Sequence, residues 1–323
     1  MQGASYEYFF YNVNLRSDHP LALPEGHSTQ HPTIELKQGT ETFFQERVPA
    51  ETRADPPGRF FSRRLIDGSS YFHWKNRFEF LMSADYSVLV GRPVGDFPWE
   101  GFQTYFLGQM LSFALLGHGI ESIHGTTVVI DGQGVSLLGN SAYGKSTLAA
   151  AFLQAGHKLL SDDLLVTEEA DGIFWALPGI PRIKLYERVS QTLLKNPSGG
   201  TPMTQDYPPK MIYRIGPEQF SKRVPLRAMY VLASPKAVAQ AQIHEPRIEP
   251  IGGGDRFIEL IRNSFNAVVA TPERLASQFA WTDRLIRSVP VQRLSYPRLM
   301  SVLPEVVRMV EADVAKLGKQ HSK

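Results

Sequence analysis

Cysteine is absent from the 323 residues. That absence excludes three chemistries at once: a disulfide framework, a thiolate metal site and a cysteine nucleophile. Charge of one sign is not in excess either. Lysine and arginine number 34 against 32 acidic residues, so nothing in the charge balance points to nucleic acid as the main partner. Long apolar runs are also missing. The most apolar window, YFLGQMLSFALLGHGI from Tyr105 to Ile120, is broken by Gly108, Gln109 and Gly117. It falls short of the about 20 apolar residues that span a bilayer, so it is read as a buried helix and no membrane insertion is expected. The start, MQGASYEYFFYNVNLRSDHP, has neither the basic opening nor the apolar centre of a signal peptide. The expected location is the cytoplasm.

The hydrophobic content of 42% is enough for a core, and the length allows one large domain or two ordinary ones. Residues 1–95 read as a β-rich N-terminal domain. YEYFFYNVNL alternates loosely. RFFSRRLIDGSSYFHWKNRFEFLMSADYSVLVGRPV reads as a meander with turns at Asp67-Gly68, Lys75-Asn76 and Ala84-Asp85. The polar stretch between them, residues 24–58, is expected to be partly a long surface loop.

Residues 96–323 read as a second, mixed α/β domain. A helix is expected from about Pro98 to Leu116, with Phe102, Tyr105, Phe106, Gln109, Met110 and Phe113 at helical spacing and serving as core. IHGTTVVIDGQGVSLLG, Ile123 to Gly139, predicts a hairpin turning through Asp131-Gly132-Gln133-Gly134. STLAAAFLQAG predicts a helix stopped at Gly156, and HKLLS a strand ending at adjacent aspartates. A second hairpin turns near Asp171-Gly172. PGIPRIKL is too proline-rich for a regular strand, and Ser190 to Pro209 reads as a mobile loop. MIYRI, LRAMYVLA and AQIHEPRIEPI follow as strands, and residues 254–287 and 299–317 as helices.

One motif carries chemistry by itself. Gly139-Asn140-Ser141-Ala142-Tyr143-Gly144-Lys145-Ser146 fits G-x-x-x-x-G-K-[ST], with an apolar strand before it and a helix after it. Glycines let backbone N–H groups turn inward around phosphates, and the helix start adds its positive end. Lys145, expected at the surface of an open site, supplies charge to the β- and γ-phosphates. Ser146 is placed to ligate Mg²⁺. Thr147 is read as a helix-start residue that completes the nucleotide-binding stretch. Asp162 and Asp163 then end the strand expected beside the loop. One carboxylate there can hold Mg²⁺ and a second can accept the proton of an attacking hydroxyl. A motor or switch needs only the first role, whereas a kinase needs both.

The stretch IHGTTVVIDGQGVSLLGNSAYGKSTLAAAFLQAGHKLLSDDLLV resembles the catalytic domain of HPr kinase/phosphorylase, with its His-Gly before a hairpin, its phosphate loop and its paired aspartates. The layout is closer still to HPr-kinase-like enzymes of lasso-peptide and other peptide-modification clusters, through Arg16-Ser17-Asp18-His19-Pro20-Leu21-Ala22-Leu23-Pro24, GKST and P-G-x-P. The resemblance implies a mixed-sheet nucleotide-binding fold related to phosphoenolpyruvate carboxykinase. It implies ATP and Mg²⁺ as cofactors and a hydroxyl on a peptide or protein as acceptor. It makes Lys145 and Ser146 the phosphate and metal ligands. One aspartate becomes the base, with a lean to Asp162, and the other, Asp163, supports the metal. His124 would tune or position these groups. Ala142 stands where the bifunctional enzymes have glycine and GKST replaces their GKSE, so the kinase half is implied and the phosphorylase half is not. Arg182 and Lys184 are read either as phosphate or substrate contacts or as an exposed strand edge. Two other function classes stay open: a nucleotide-sensing binding module without transfer chemistry, and a carboxykinase-type enzyme of small acids. Assembly into homo-oligomers is also left open.

Overall fold

The structure, a computed structural model, describes residues 5–21, 23–53, 60–95, 97–194, 199–203, 209–266 and 269–320. The chain forms two compact units: Met1–Ile120 with Thr201–Lys210, and Glu121–Gly200 with Met211–Lys323. Among the described residues no helix is long and apolar enough to cross a membrane.

The first unit runs β1 (Tyr6–Phe10), β2 (Val13–Ser17), β3 (Thr33–Gln38), α1 (Glu41–Arg47), α2 (Ala50–Arg53), β4 (Phe60–Arg64), β5 (Ser70–Trp74), β6 (Phe78–Met82), β7 (Val88–Pro93), α3 (Trp99–Tyr105) and α4 (Leu111–Gly117). The strands form one mixed sheet in the order β1-β2-β3-β7-β6-β5-β4. Strand alternation explains how both faces are covered. Phe78 and Phe80 of β6 point to the α3–α4 side, where the Phe80 ring stacks on Phe102 at 5.2 Å and on Phe106 at 5.6 Å. Leu81 points the other way and joins Phe44, Val48, Tyr71 and Val90. On that face the nearly buried Glu79 carboxylate is held by Arg53, Arg92 and the Tyr71 hydroxyl at 3.1, 2.7 and 2.6 Å, partners that a buried charge requires. Burial and this carboxylate push the Tyr71 phenol well above its usual range. The sequence boundary at 95/96 falls before the helical segment. The segment's aromatic face packs on this sheet, so it clusters with the β-rich unit.

The second unit runs β8 (Ser122–Ile130), β9 (Gln133–Leu138), α5 (Lys145–Gln154), β10 (Lys158–Ser161), β11 (Leu164–Ala170), β12 (Ile173–Ala176), β13 (Arg182–Tyr186) and α6 (Glu187–Leu193). The two-residue strand β14 (Thr201–Pro202) lies in the segment assigned to the first unit. Then come β15 (Lys210–Arg214), β16 (Val224–Leu232), α7 (Pro235–Gln240), β17 (Arg247–Pro250), α8 (Gly253–Asn263), α9 (Pro272–Ser288), β18 (Val291–Ser295) and α10 (Leu303–Gln320). β8 and β9 form the expected hairpin, closed by a two-residue Asp131-Gly132 turn with both φ positive, 49° and 76°, the type I′ geometry. β9 runs parallel to β16, and β16 parallel to β18. Three strands therefore end at one edge, and the loop after β9 sits there. The Ala-rich α5 is buried through Leu148–Leu153 on one face of the sheet, together with residues of α10. Residues of α8 and α9 cover the other face.

Several elements differ from the sequence expectation. PGIPRIKL does yield a strand, because Pro178 and Pro181 precede it and leave five donor-bearing residues for β13. The polar stretch 24–58 contains β3 and α1, the latter capped by Thr40. The helix expected over 254–287 is two helices, the second restarting at Pro272 behind the Thr271 cap. AQIHEPRIEPI keeps only Arg247–Pro250 as strand. Of the loop expected from Ser190 to Pro209, residues 190–193 complete α6, while 195–198 and 204–208 lie outside the described residues, as do Ala22 and 54–58.

Gly91 faces Phe80 across the β6–β7 pair, and a Cβ there would lie 2.3 Å from the Phe80 ring. The missing side chain is the space the ring occupies. Gly91→Ala is therefore expected to destabilise the chain by about 1–3 kcal/mol, the range for overpacking. Denaturant unfolding checks this, and an unchanged midpoint would contradict the packing.

Candidate functional site

The loop from Gly139 to Gly144 reverses the chain between β9 and α5. Ala142 and Gly144 take positive φ, 67° and 91°. Alternating backbone hands of this kind turn successive N–H groups to one side and make an anion-binding concavity, which the α5 N-terminus extends. Ala142 adopts the left-handed region at a cost that glycine would avoid. Asn140, Ser141 and Ala142 are exposed, while Tyr143, Gly144, Ser146 and Thr147 are half-buried.

Lys145 is not at the surface. It is 7% exposed, and its Nζ donates to the carbonyl oxygens of Gly139 and Asn140 at 2.6 and 3.1 Å. A buried ammonium requires acceptors, and the carbonyls of its own loop supply them.

The paired aspartates divide the work of holding the surrounding elements. Asp162 Oδ1 accepts from Ser146 Oγ at 3.0 Å and from Thr126 Oγ1 at 2.8 Å. Its Oδ2 accepts from the Lys184 backbone N–H at 3.0 Å. Asp163 takes φ of 87°, an uncommon conformation for a non-glycine residue and one that clusters at functional sites. Its backbone oxygen accepts from Gly125 N–H at 3.0 Å, which pins the turn to β8. Its carboxylate is ion-paired with Lys184 Nζ, and the side chain remains 32% exposed.

Lys184 and Arg182 are 8% and 9% exposed, so the exposed-edge alternative does not hold. They alternate on one face of β13, and Lys184 reaches both aspartates. His124 is half-buried in β8, opposite Leu164 of β11. It lies on the same strand face as Thr126, and its ring meets Phe265 edge-on at 5.2 Å. The segment carrying Phe265 is tied down by a buried ion pair. Arg274 bonds the Glu121 carboxylate at 3.2 Å and donates to the backbone oxygens of Phe265, Asn266 and Val269.

Two participants escaped the sequence reading. Thr126 could have been found, since alternation in HGTTVV puts it on the His124 face. Arg298 carried no signal. Its guanidinium lies 4.0 Å over the Tyr296 ring, and the Tyr296 hydroxyl is 3.4 Å from where a Gly144 Cβ would stand. Arg298 Nε and Nη1 are buried without a hydrogen-bond partner. Burial lowers the pKa of Arg298 and raises that of the Tyr296 phenol. Its Nη2 donates to the Ala233 backbone oxygen at the end of β16, so the half-buried guanidinium is held at the same strand edge as the loop.

No family model matches the chain. An HPr kinase/phosphorylase of Lactobacillus johnsonii is 43% identical over 51 residues, which is 16% of this chain and 16% of that protein. One of Lachnoclostridium phytofermentans is 36% identical over 63 residues, 19% and 20% of the two chains. One of Prosthecochloris aestuarii is 44% identical over 46 residues, 14% of each. The matched stretches thus span about one-seventh to one-fifth of these curated relatives. Among solved structures, the HPr(Ser) kinase/phosphatase of Coxiella burnetii aligns with a TM-score of 0.34 and 14% identity, covering 61% of this chain and 98% of that one. Over a short stretch of its mixed α/β fold, the chain is similar in sequence to the HPr kinase/phosphorylases.

Proposed function

We propose that this chain is an ATP- and Mg²⁺-dependent kinase that transfers the γ-phosphoryl group to a hydroxyl, a seryl group on a peptide or protein, in the cytoplasm. The observation that carries the reading is the hydrogen bond from Ser146 of the phosphate loop to the first of two adjacent aspartates, at 3.0 Å. It brings the hydroxyl that ligates Mg²⁺ in such loops together with a carboxylate able to share the ion. Among the described residues no cluster of three or more His, Asp or Glu side chains could hold a metal ion. The fit is therefore to an ion that draws its remaining ligands from phosphate and water, the usual habit of Mg²⁺. ATP would supply the phosphoryl group, and Mg²⁺ would neutralise charge on its oxygens.

The geometry supports assigning the aspartates in the reverse of the sequence lean. Asp162 already accepts three hydrogen bonds, which occupy both of its oxygens. It sits against Ser146 and is the carboxylate suited to the metal. Both aspartates are half-buried, and Asp163, whose carboxylate pairs with the Lys184 side chain rather than with Ser146, takes the acceptor hydroxyl's proton as the oxygen bonds to the γ-phosphorus and the bridging oxygen leaves with ADP. Lys145, turning from its own loop carbonyls, meets the β- and γ-oxygens. Lys184 bridges Asp163 and the strand carrying Arg182, where it can shift its charge toward the transferred group. His124, beside Thr126, helps set the position of the aspartates. The loop backbone from Gly139 to Thr147 cradles the phosphates.

Two outcomes are expected. Asp163→Asn should slow transfer by about 10²- to 10⁴-fold at saturating Mg²⁺ with little change in ATP affinity, the range for losing a general base. Asp162→Asn should instead be partly rescued by raised Mg²⁺ in the same phosphorylation assay. Normal rates in both variants would make the aspartates structural. Separately, calorimetry should show ATP binding weakened by a chelator and by Lys145→Met, which keeps the buried stem but removes the charge. ATP affinity that ignores both would place nucleotide elsewhere.

A further inference from the structure

Sheet order fixes a polarity around the phosphate loop. The aspartates lie at the β10–β11 junction, both of whose strands pair with β8. β8 pairs with β9, which feeds the loop, and β9 pairs on its other side with β16. A triphosphate whose γ end faces Ser146 and Asp162 must send its other end away from them, over the ends of β16 and β18.

A cavity of about 240 Å³ opens there. It is lined by the start of the loop, Gly139, Asn140 and Tyr143, and by residues of β16, α7, α8 and β18, while none of Ser146, Asp162, Asp163 or Lys184 borders it. Its volume falls below the about 300–1,000 Å³ of sites that hold a whole ligand, as suits one end of a molecule anchored beside it. Val231 and Leu232 supply apolar wall, and Ser234, Glu259 and Asn263 supply polar groups. Glu259 is bound by Arg293 at 2.9 Å, and Asn263 donates to the Glu259 backbone oxygen at 2.8 Å. The Glu259 carboxylate neutralises Arg293, one of the two lining arginines, and the other, Arg262, is 70% exposed to solvent.

We propose that this cavity receives the nucleoside end of the bound nucleotide, base and ribose together. Val231, Leu232 and the Tyr143 ring would face the base. Ser234, Glu259 and Asn263 would hydrogen-bond its edge or the sugar hydroxyls. The assignment rests on the reading of the phosphate loop as a nucleotide site, and the test separates the two.

Inorganic triphosphate probes the loop alone, whereas ATP probes loop and cavity. Both are titrated with Mg²⁺ into the full chain by calorimetry. Wild type should bind ATP at least about tenfold tighter than triphosphate. Two pocket-filling variants stand on exposed positions of opposite walls: Ala237→Trp on α7 and Arg262→Trp on α8, the latter 70% exposed in the wild type. Each should bring ATP affinity to within about threefold of triphosphate affinity while leaving triphosphate unchanged, which also reports an intact fold. Equal wild-type affinities for the two ligands, or variants that leave the ratio intact, would overturn the cavity assignment while the loop reading stands. Variants that weaken both ligands alike would overturn it too. If neither ligand binds wild type, the loop reading falls and the cavity assignment falls with it.

Discussion

One carboxylate joins the parts of the site. Asp162 accepts from Thr126 of β8, Ser146 of α5 and the backbone of Lys184 in β13. Three elements distant in sequence are held by two oxygen atoms. Charge-assisted hydrogen bonds are about twice as strong as neutral ones, and each donor here would otherwise need another partner. The cost of the arrangement is local. The chain must turn at once after Asp162 to enter β11, and Asp163 takes the left-handed conformation that makes the turn. The strain and the second carboxylate fall on one residue, next to the first.

The rest of the second unit serves to bring that carboxylate to the loop. The β8–β9 hairpin delivers the loop to the edge where β16 and β18 also end. The loop edge is then flanked by aspartates on one side and by an amphipathic cavity on the other. Helix α5 can lie flat on the sheet because Ala149, Ala150 and Ala151 are small and fully packed. Larger side chains there would lift its N-terminus, and Ser146 with it, away from Asp162.

Much of this was legible where the signal is local. The phosphate loop, the hairpin before it and the Gly156 stop of α5 each follow from residue types at fixed spacing, and each is present in the structure. The aspartates were legible as a pair but not as individuals. Their roles depend on which oxygen meets Ser146, and that depends on a backbone φ that no side-chain pattern encodes. Lys145 was expected in the open, because the loop motif names its role but not its burial against the loop carbonyls. β13 was missed because its prolines were counted as part of the strand rather than as its approach. Arg298 and the cavity were illegible because their parts come from separate strand ends, β16 and β18, that only the parallel pairing brings together. In the first unit, the meander through β4, β5, β6 and β7 was legible from its turn residues. The packing of the aromatic helix onto that sheet is a tertiary choice.

The central claim is that the Ser146–Asp162–Asp163 cluster performs phosphoryl transfer to a hydroxyl rather than sensing nucleotide. It is tested most directly in a single turnover with Mg²⁺ and ATP carrying label in the γ-phosphate, in the presence of seryl peptides. The label should appear as an acid-stable phosphoester on the peptide in wild type and fall sharply in Asp163→Asn, whose ATP binding stays intact. Label that remains in ATP, or leaves only as inorganic phosphate, while nucleotide is bound at full occupancy would contradict the account.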